Sequence, residues 1–246
     1  MRDIKVALQE HYDKVKEKFP HTTILGVFLY GSQNYNIATE DSDVDTIAIL
    51  VPSFDDLVLR TPISKEIHFE NGEHCVIKDI REVVKQWKKQ SLNYLEILFT
   101  DYFIVRECWK EDWNCFVEMR EDIACMDMDK TIKSVKGQAI HTLMQGETNY
   151  KKQANALKMY YFLISFMTGH SYEDSLTFLW NKTLLVKKGV KPFPFESVAS
   201  FKKALEELEK YEAYKTSVKN TYRSHKNVEE TLDGYLITLI WRAITL

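Results

Sequence analysis

One stretch constrains this chain more than any other: Leu29-Tyr30-Gly31-Ser32, nine further residues, then Ser42-Asp43-Val44-Asp45 and a second apolar run to Leu50. Two apolar, β-branched runs joined through Gly-Ser and Asp-x-Asp demand a strand, a tight turn and a second strand. Glycine at a strand end removes the Cβ that would keep a ligand from the backbone, so N–H groups can approach a phosphate. Aspartates spaced i, i+2 at the start of a strand project to one side of the sheet. Two carboxylates facing a phosphate cradle are the hard oxygen donors that Mg²⁺-dependent phosphoryl or nucleotidyl transfer requires.

Apolar positions Ile4, Val6, Leu8, Tyr12, Val15 and Phe19 predict an amphipathic helix over 3–19, stopped by Pro20. Residues 22–30 and 43–51 read as strands, with a short helical segment over 33–37 between them. Ser53 caps a short helix to Leu59. Asn71-Gly72 predicts a two-residue hairpin loop between strands 63–70 and 73–79. That loop would place 70 opposite 73, 68 opposite 75, 66 opposite 77 and 64 opposite 79, gathering Glu66, His68, Glu70, Glu73 and Asp79 on one acid-rich face with Ser64, Cys75 and Ile77. Helices follow over 80–90 and 92–99, then a short strand within 101–106. Beyond it the periodicity is helical: 109–122, 128–145, 149–168, 172–187, 197–211 and 225–244. Strands before residue 105 and helices after it imply an α+β chain: a mixed sheet with flanking helices over 1–105, then an all-α domain over 106–246.

The net charge of −3 spreads no basic field that would advertise nucleic-acid binding. Cys75, Cys108, Cys115 and Cys125 lack C-x-x-C spacing and read as free thiols of a reducing compartment rather than zinc ligands. No leader-like or 18-residue apolar stretch occurs, so a cytoplasmic, membrane-free protein is expected. The seven histidines form no sequence cluster. Tyr160-Tyr161-Phe162 reads as core, and the alternating charges of 202–219 as an exposed helix with local ion pairs.

Gly31-Ser32 followed by Ser42-Asp43-Val44-Asp45 resembles the nucleotidyltransferase signature of the DNA polymerase β superfamily. The run Tyr35…Ala38-Thr39-Glu40-Asp41-Ser42-Asp43, the segment Leu95-Glu96-Ile97-Leu98-Phe99 and, more loosely, the helix Ala156–Ile164 are similar to the bacterial and phage "predicted nucleotidyltransferases" of that superfamily. The resemblance implies a palm-like sheet and a helical domain closing over a nucleotide. It implies transfer of a nucleoside monophosphate from an NTP to an acceptor hydroxyl of RNA, protein or a small molecule, with Mg²⁺ or Mn²⁺. Asp43 and Asp45 would hold metal, and Gly31 and Ser32 the phosphates. A third carboxylate, here assigned to Asp79 with Glu73 and Glu66 as alternatives, would complete the metal and catalytic set. Lys152 or Lys158 would meet the triphosphate. Asp41 reads as a turn residue and Glu96 as either a site contact or a local helix pair. The rival expectation is a nucleotide-binding sensor or toxin–antitoxin-type partner that keeps the fold without turnover.

Overall fold

The computed structural model describes residues 2–40, 42–208 and 225–245. Asp41 and the 209–219 part of the charged stretch lie outside the described residues. Five strands form one mixed sheet: β1 (Thr23–Tyr30), β2 (Asp45–Val51), β3 (Ser64–His68), β4 (His74–Asp79) and β5 (Phe103–Val105), in the order β3-β4-β2-β1-β5. β2 and β4 run parallel; every other neighbouring pair is antiparallel. The chain is therefore α+β.

Alternation along the strands divides the sheet's two faces. Ile24, Val27, Ala48, Leu50, Ile67, Cys75 and Ile77 pack with Leu8 and Val15 of α1 (Ile4–Lys18) on one side. Leu25, Phe28, Ile47, Ile49 and Val51 face the helices on the other. These are α3 (Ile80–Lys88), α4 (Leu92–Leu95), α5 (Lys110–Glu118), α6 (Arg120–Ala124), α7 (Met128–Met144), α8 (Tyr150–Met167), α9 (Tyr172–Leu176), α10 (Trp180–Lys187), α11 (Val198–Leu208) and α12 (His225–Thr245); α2 (Phe54–Val58) is a short surface turn with a capping box on Ser53. One apolar cluster runs unbroken from Leu25 to Leu239, across residue 105. Phe28 of β1 meets Trp113 of α5 with ring centroids 4.2 Å apart, Trp87 of α3 packs on Phe116, and Phe116 meets Tyr235 of α12. No described helix is long and apolar enough to cross a membrane.

The register of the hairpin departs from expectation by one residue. Ser64 pairs with Lys78, Glu66 with Val76 and His68 with His74. The loop has three residues, not two: the Phe69 N–H donates to the Glu73 carbonyl (2.9 Å), and Gly72 takes the left-handed position, φ +87°. A one-residue slip moves every side chain of one strand to the other face, so the predicted acid-rich face does not exist. Glu66 and His68 share a face with His74, Val76 and Lys78. Cys75 and Ile77 lie under α1, and Glu73 meets His11 and Arg2 there.

Two predicted helices are broken. Met119 separates α5 from α6, and Leu179, at φ +52°, separates α9 from α10. Neither site carries Gly or Pro, so tertiary packing overrides local propensity. At Gly26 the packing is tightest: an added Cβ would lie 2.7 Å from the Ile104 carbonyl oxygen of β5 and 2.9 Å from Phe28 Cζ. Gly26→Ala is expected to cost about 1–3 kcal/mol by overpacking, read as a lowered midpoint in urea unfolding.

Candidate functional site

The end of β1 and the start of β2 lie side by side, with Tyr30 opposite Asp45. Between them the chain turns through Gly31 at φ +85°, ψ −151°, a conformation closed to side-chain-bearing residues, into a 3₁₀ turn over Ser32–Tyr35. A Cβ on Gly31 would stand 3.5 Å from Asp45 Oδ2, so the missing side chain leaves the carboxylate open to the turn. Asp45 is the first residue of β2; Asp43 stands just before the strand, and buried Val44 fixes the segment beneath them.

Opposite this edge, α8 and α10 present lysines. Gly31, Ser32, Asp43 and Asp45 line one cleft with Lys151, Lys152, Lys158 and Lys187, a cavity of about 250 Å³. Asn93, Gln138, Thr142 and Asn155 complete it with uncharged hydrogen-bonding groups. Both lysines expected from the sequence, Lys152 and Lys158, line this cleft. Lys151 and Lys187 join them. Lys151 Nζ is 3.9 Å from Asp43 Oδ2. Lys187 Nζ donates to the Ile37 carbonyl (2.9 Å) and to Ser42 Oγ (3.0 Å), tying the loop before Asp43 to α10. Burial, and then the charge of Lys151, pulls the Lys187 ammonium below its ordinary pKa.

Lys158 Nζ lies 3.5 Å above the Tyr35 ring, a cation–π contact. Glu96 lines the same cleft, and its Oε1 accepts the Gly31 N–H at 3.1 Å. Burial pushes Glu96 up and Lys158 down, each toward its neutral form. The Gly31 N–H is thus engaged inside the protein and does not face the cleft.

Asp79 is not brought to this site. In the parallel β2–β4 ladder Asp45 pairs with His74 and Leu50 with Asp79, so five residues, about 16 Å along a strand, separate the two acids. Asp79 is fully buried; it caps α3 by accepting the Arg81 N–H (2.8 Å) and pairs with the Arg81 guanidinium (2.5 Å). Asp79→Ala is expected to lower stability by about 2–4 kcal/mol through loss of the cap and the ion pair, with no change in ligand affinity at the cleft; urea unfolding beside nucleotide titration reads both. Of the alternatives, Glu73 is on the α1 side of the sheet, and Glu66 shares Asp45's face two strands away, about 10 Å to the side.

The residue that stands beside Asp45 is His74. Its Nδ1 is 2.7 Å from Asp45 Oδ1 and its Nε2 is 2.7 Å from the Tyr30 hydroxyl. The contact with Asp45 raises the imidazole pKa against the opposing effect of burial. Burial and the Asp45 charge hold Tyr30 protonated. The sequence reading missed His74 because its importance depends on the β2–β4 pairing.

The donor set suits Mg²⁺, which is held by one or two carboxylates and otherwise by substrate phosphates and water. Asp43 and Asp45 are such carboxylates, and the Gly31 gap leaves room at Asp45. Among the described residues no three His, Cys, Asp or Glu side chains converge to form a metal cage. Four lysines and three carboxyl groups, Asp43, Asp45 and the buried Glu96, line the cleft, a surplus of basic side chains complementary to a polyanion. Comparison of the chain with protein-family models and with curated proteins found no match.

Proposed function

We propose that this chain is a nucleotidyltransferase of the DNA polymerase β superfamily. It would move a nucleoside monophosphate from an NTP to an acceptor hydroxyl of RNA, protein or a small molecule. The observation that carries the reading is one cleft in which a glycine turn, two strand-edge aspartates and four lysines meet. In the reaction the acceptor oxygen bonds to the α-phosphorus, the α–β bridging P–O bond breaks, pyrophosphate leaves, and the hydroxyl proton passes to a base. Asp43 and Asp45 would hold Mg²⁺ or Mn²⁺, which would supply neutralisation of charge on the phosphates. Lys151, Lys152, Lys158 and Lys187 attract the triphosphate and offset the charge of the leaving pyrophosphate. His74 holds the Asp45 carboxylate in orientation, with Tyr30 fixing the far nitrogen of the imidazole. The amide and hydroxyl side chains at Asn93, Gln138, Thr142 and Asn155, which line the cleft, would meet the nucleoside.

Asp79's distance from the cleft favours a second reading: a protein that binds nucleotide without turnover. Labelled NTPs with Mg²⁺ and a mixed acceptor pool separate the two. Pyrophosphate release lost in Asp43→Asn supports transfer. Mg²⁺-dependent thermal stabilisation by NTP without pyrophosphate supports the second reading. Neither signal with any of the four NTPs removes both.

A further inference from the structure

Glu96 is the buried charge-bearing group that the transfer chemistry leaves without a task. It opens the 3₁₀ turn Glu96–Leu98 that follows α4 and is 2% exposed. One carboxyl oxygen takes the Gly31 N–H; the other, Oε2, has no hydrogen-bond partner. The side chain forms part of the wall of the lysine cleft, and it also borders a polar pocket of about 410 Å³ on the far side, lined by Gln33, Asn34, Asn36 and Thr100. Burying a half-satisfied carboxyl group costs more than burying leucine or methionine in the same volume.

Gly31 holds φ +85°, ψ −151°, a strained region that persists only where its surroundings fix it. Its carbonyl accepts the Asn34 N–H at 3.1 Å, inside the 3₁₀ turn. Its N–H is held by Glu96 alone among the described contacts. That bond holds the N–H side of the Tyr30–Gly31 peptide, while Asn34 Nδ2 donates to the Leu29 carbonyl (2.9 Å) and braces the turn from its other end. Lys158, 3.5 Å above the Tyr35 ring, lines the same cleft as this carboxyl group.

We infer that Glu96 is a positioning residue for the triphosphate: it anchors the Gly31-Ser32 turn through the Gly31 N–H. The inference rests on the nucleotide-binding reading above. Its test uses inorganic triphosphate with Mg²⁺ as probe, free of any base preference, and titration calorimetry on the full chain. Glu96→Gln keeps an acceptor at the position of Oε1 and is expected to bind within about 3-fold of wild type. Glu96→Asp withdraws the carboxyl group from Gly31 by about one bond length, and Glu96→Leu removes it; each is expected to weaken binding at least about 10-fold while the folded protein gives an ordinary far-UV spectrum. A merely structural role lowers the melting midpoint without moving the dissociation constant of the folded protein. Tight binding by Glu96→Asp overturns the inference, and so does a Glu96→Gln loss equal to that of Glu96→Asp; the Gln–Asp comparison stands even where Glu96→Leu does not fold. Wild type that binds neither triphosphate nor any NTP fails at the nucleotide reading itself, whereas tight binding by wild type and every variant removes only the role of Glu96.

Discussion

Asp45→Asn is expected to lower NTP turnover by at least about 10³-fold in a chain that still folds. The substitution keeps the shape of the side chain at the first position of β2 and removes its charge. An amide turned toward a cation offers one neutral oxygen in place of a carboxylate, and the electrostatic stabilisation from such a site amounts to several kcal/mol, with about 1.4 kcal/mol for each decade of rate. The loss reaches His74 as well. Its Nδ1 sits 2.7 Å from Asp45 Oδ1, and the Asp45 contact is the largest influence raising its pKa. Without that charge, the histidine returns toward or below its ordinary value. Radiolabelled pyrophosphate release measures the rate, and the Mg²⁺-dependent part of NTP thermal stabilisation measures the binding. An Asp45→Asn protein that keeps a tenth of wild-type turnover would exclude Asp45 as a metal ligand.

Gly31→Ala carries the second large effect, and strain rather than collision causes it. The added Cβ would lie 3.5 Å from Asp45 Oδ2, an ordinary contact distance. The backbone, at φ +85°, ψ −151°, is what an alanine cannot adopt without about 1–3 kcal/mol of strain. The chain relieves that strain by rotating the turn, which breaks the Gly31 N–H bond to Glu96 and moves Ser32 away from the aspartates. The expected result is a loss of about 10- to 100-fold in Mg²⁺·NTP affinity by calorimetry. Gly137→Ala is the matched control: it lies within α7 with nothing inside 4 Å of its Cβ, and gains about 0.5–1 kcal/mol of stability.

The centre of the site was legible in the sequence because its determinants are local. Apolar runs, one glycine and two acids within about twenty residues define two strand ends and what lies between them. Lysines on an amphipathic helix announced that α8 carries charge, but which of them reach the cleft depends on packing across more than a hundred residues; Lys187 bonds to Ser42, 145 positions away. The hairpin was misread for a specific reason. Asn-Gly is the signature of a two-residue loop, yet here Gly72 takes the left-handed position of a three-residue loop. That single shift dispersed the expected acidic face. Asp79 was lost for a separate reason: it stands at the end of β4 where it begins α3, and a buried aspartate at such a junction is read equally well as a cap or as a ligand until the neighbouring strand is known. The breaks at Met119 and Leu179 left no mark in composition, because a leucine held at positive φ is a result of tertiary contacts.

The unbroken apolar cluster from β1 through α5 to α12 bears on how the cleft admits its ligand. Phe28, Trp87, Trp113, Phe116 and Tyr235 interlock the strand-bearing and helical parts of the chain. Swinging one part away from the other as a rigid body would expose these rings to water, at roughly 25 cal/mol for each Å² uncovered. The smaller motions open at the cleft are side-chain rotations of Lys151 and Lys152, which line it. Rotamer changes of exposed side chains take place in picoseconds to nanoseconds, far faster than any separation of the two interlocked parts.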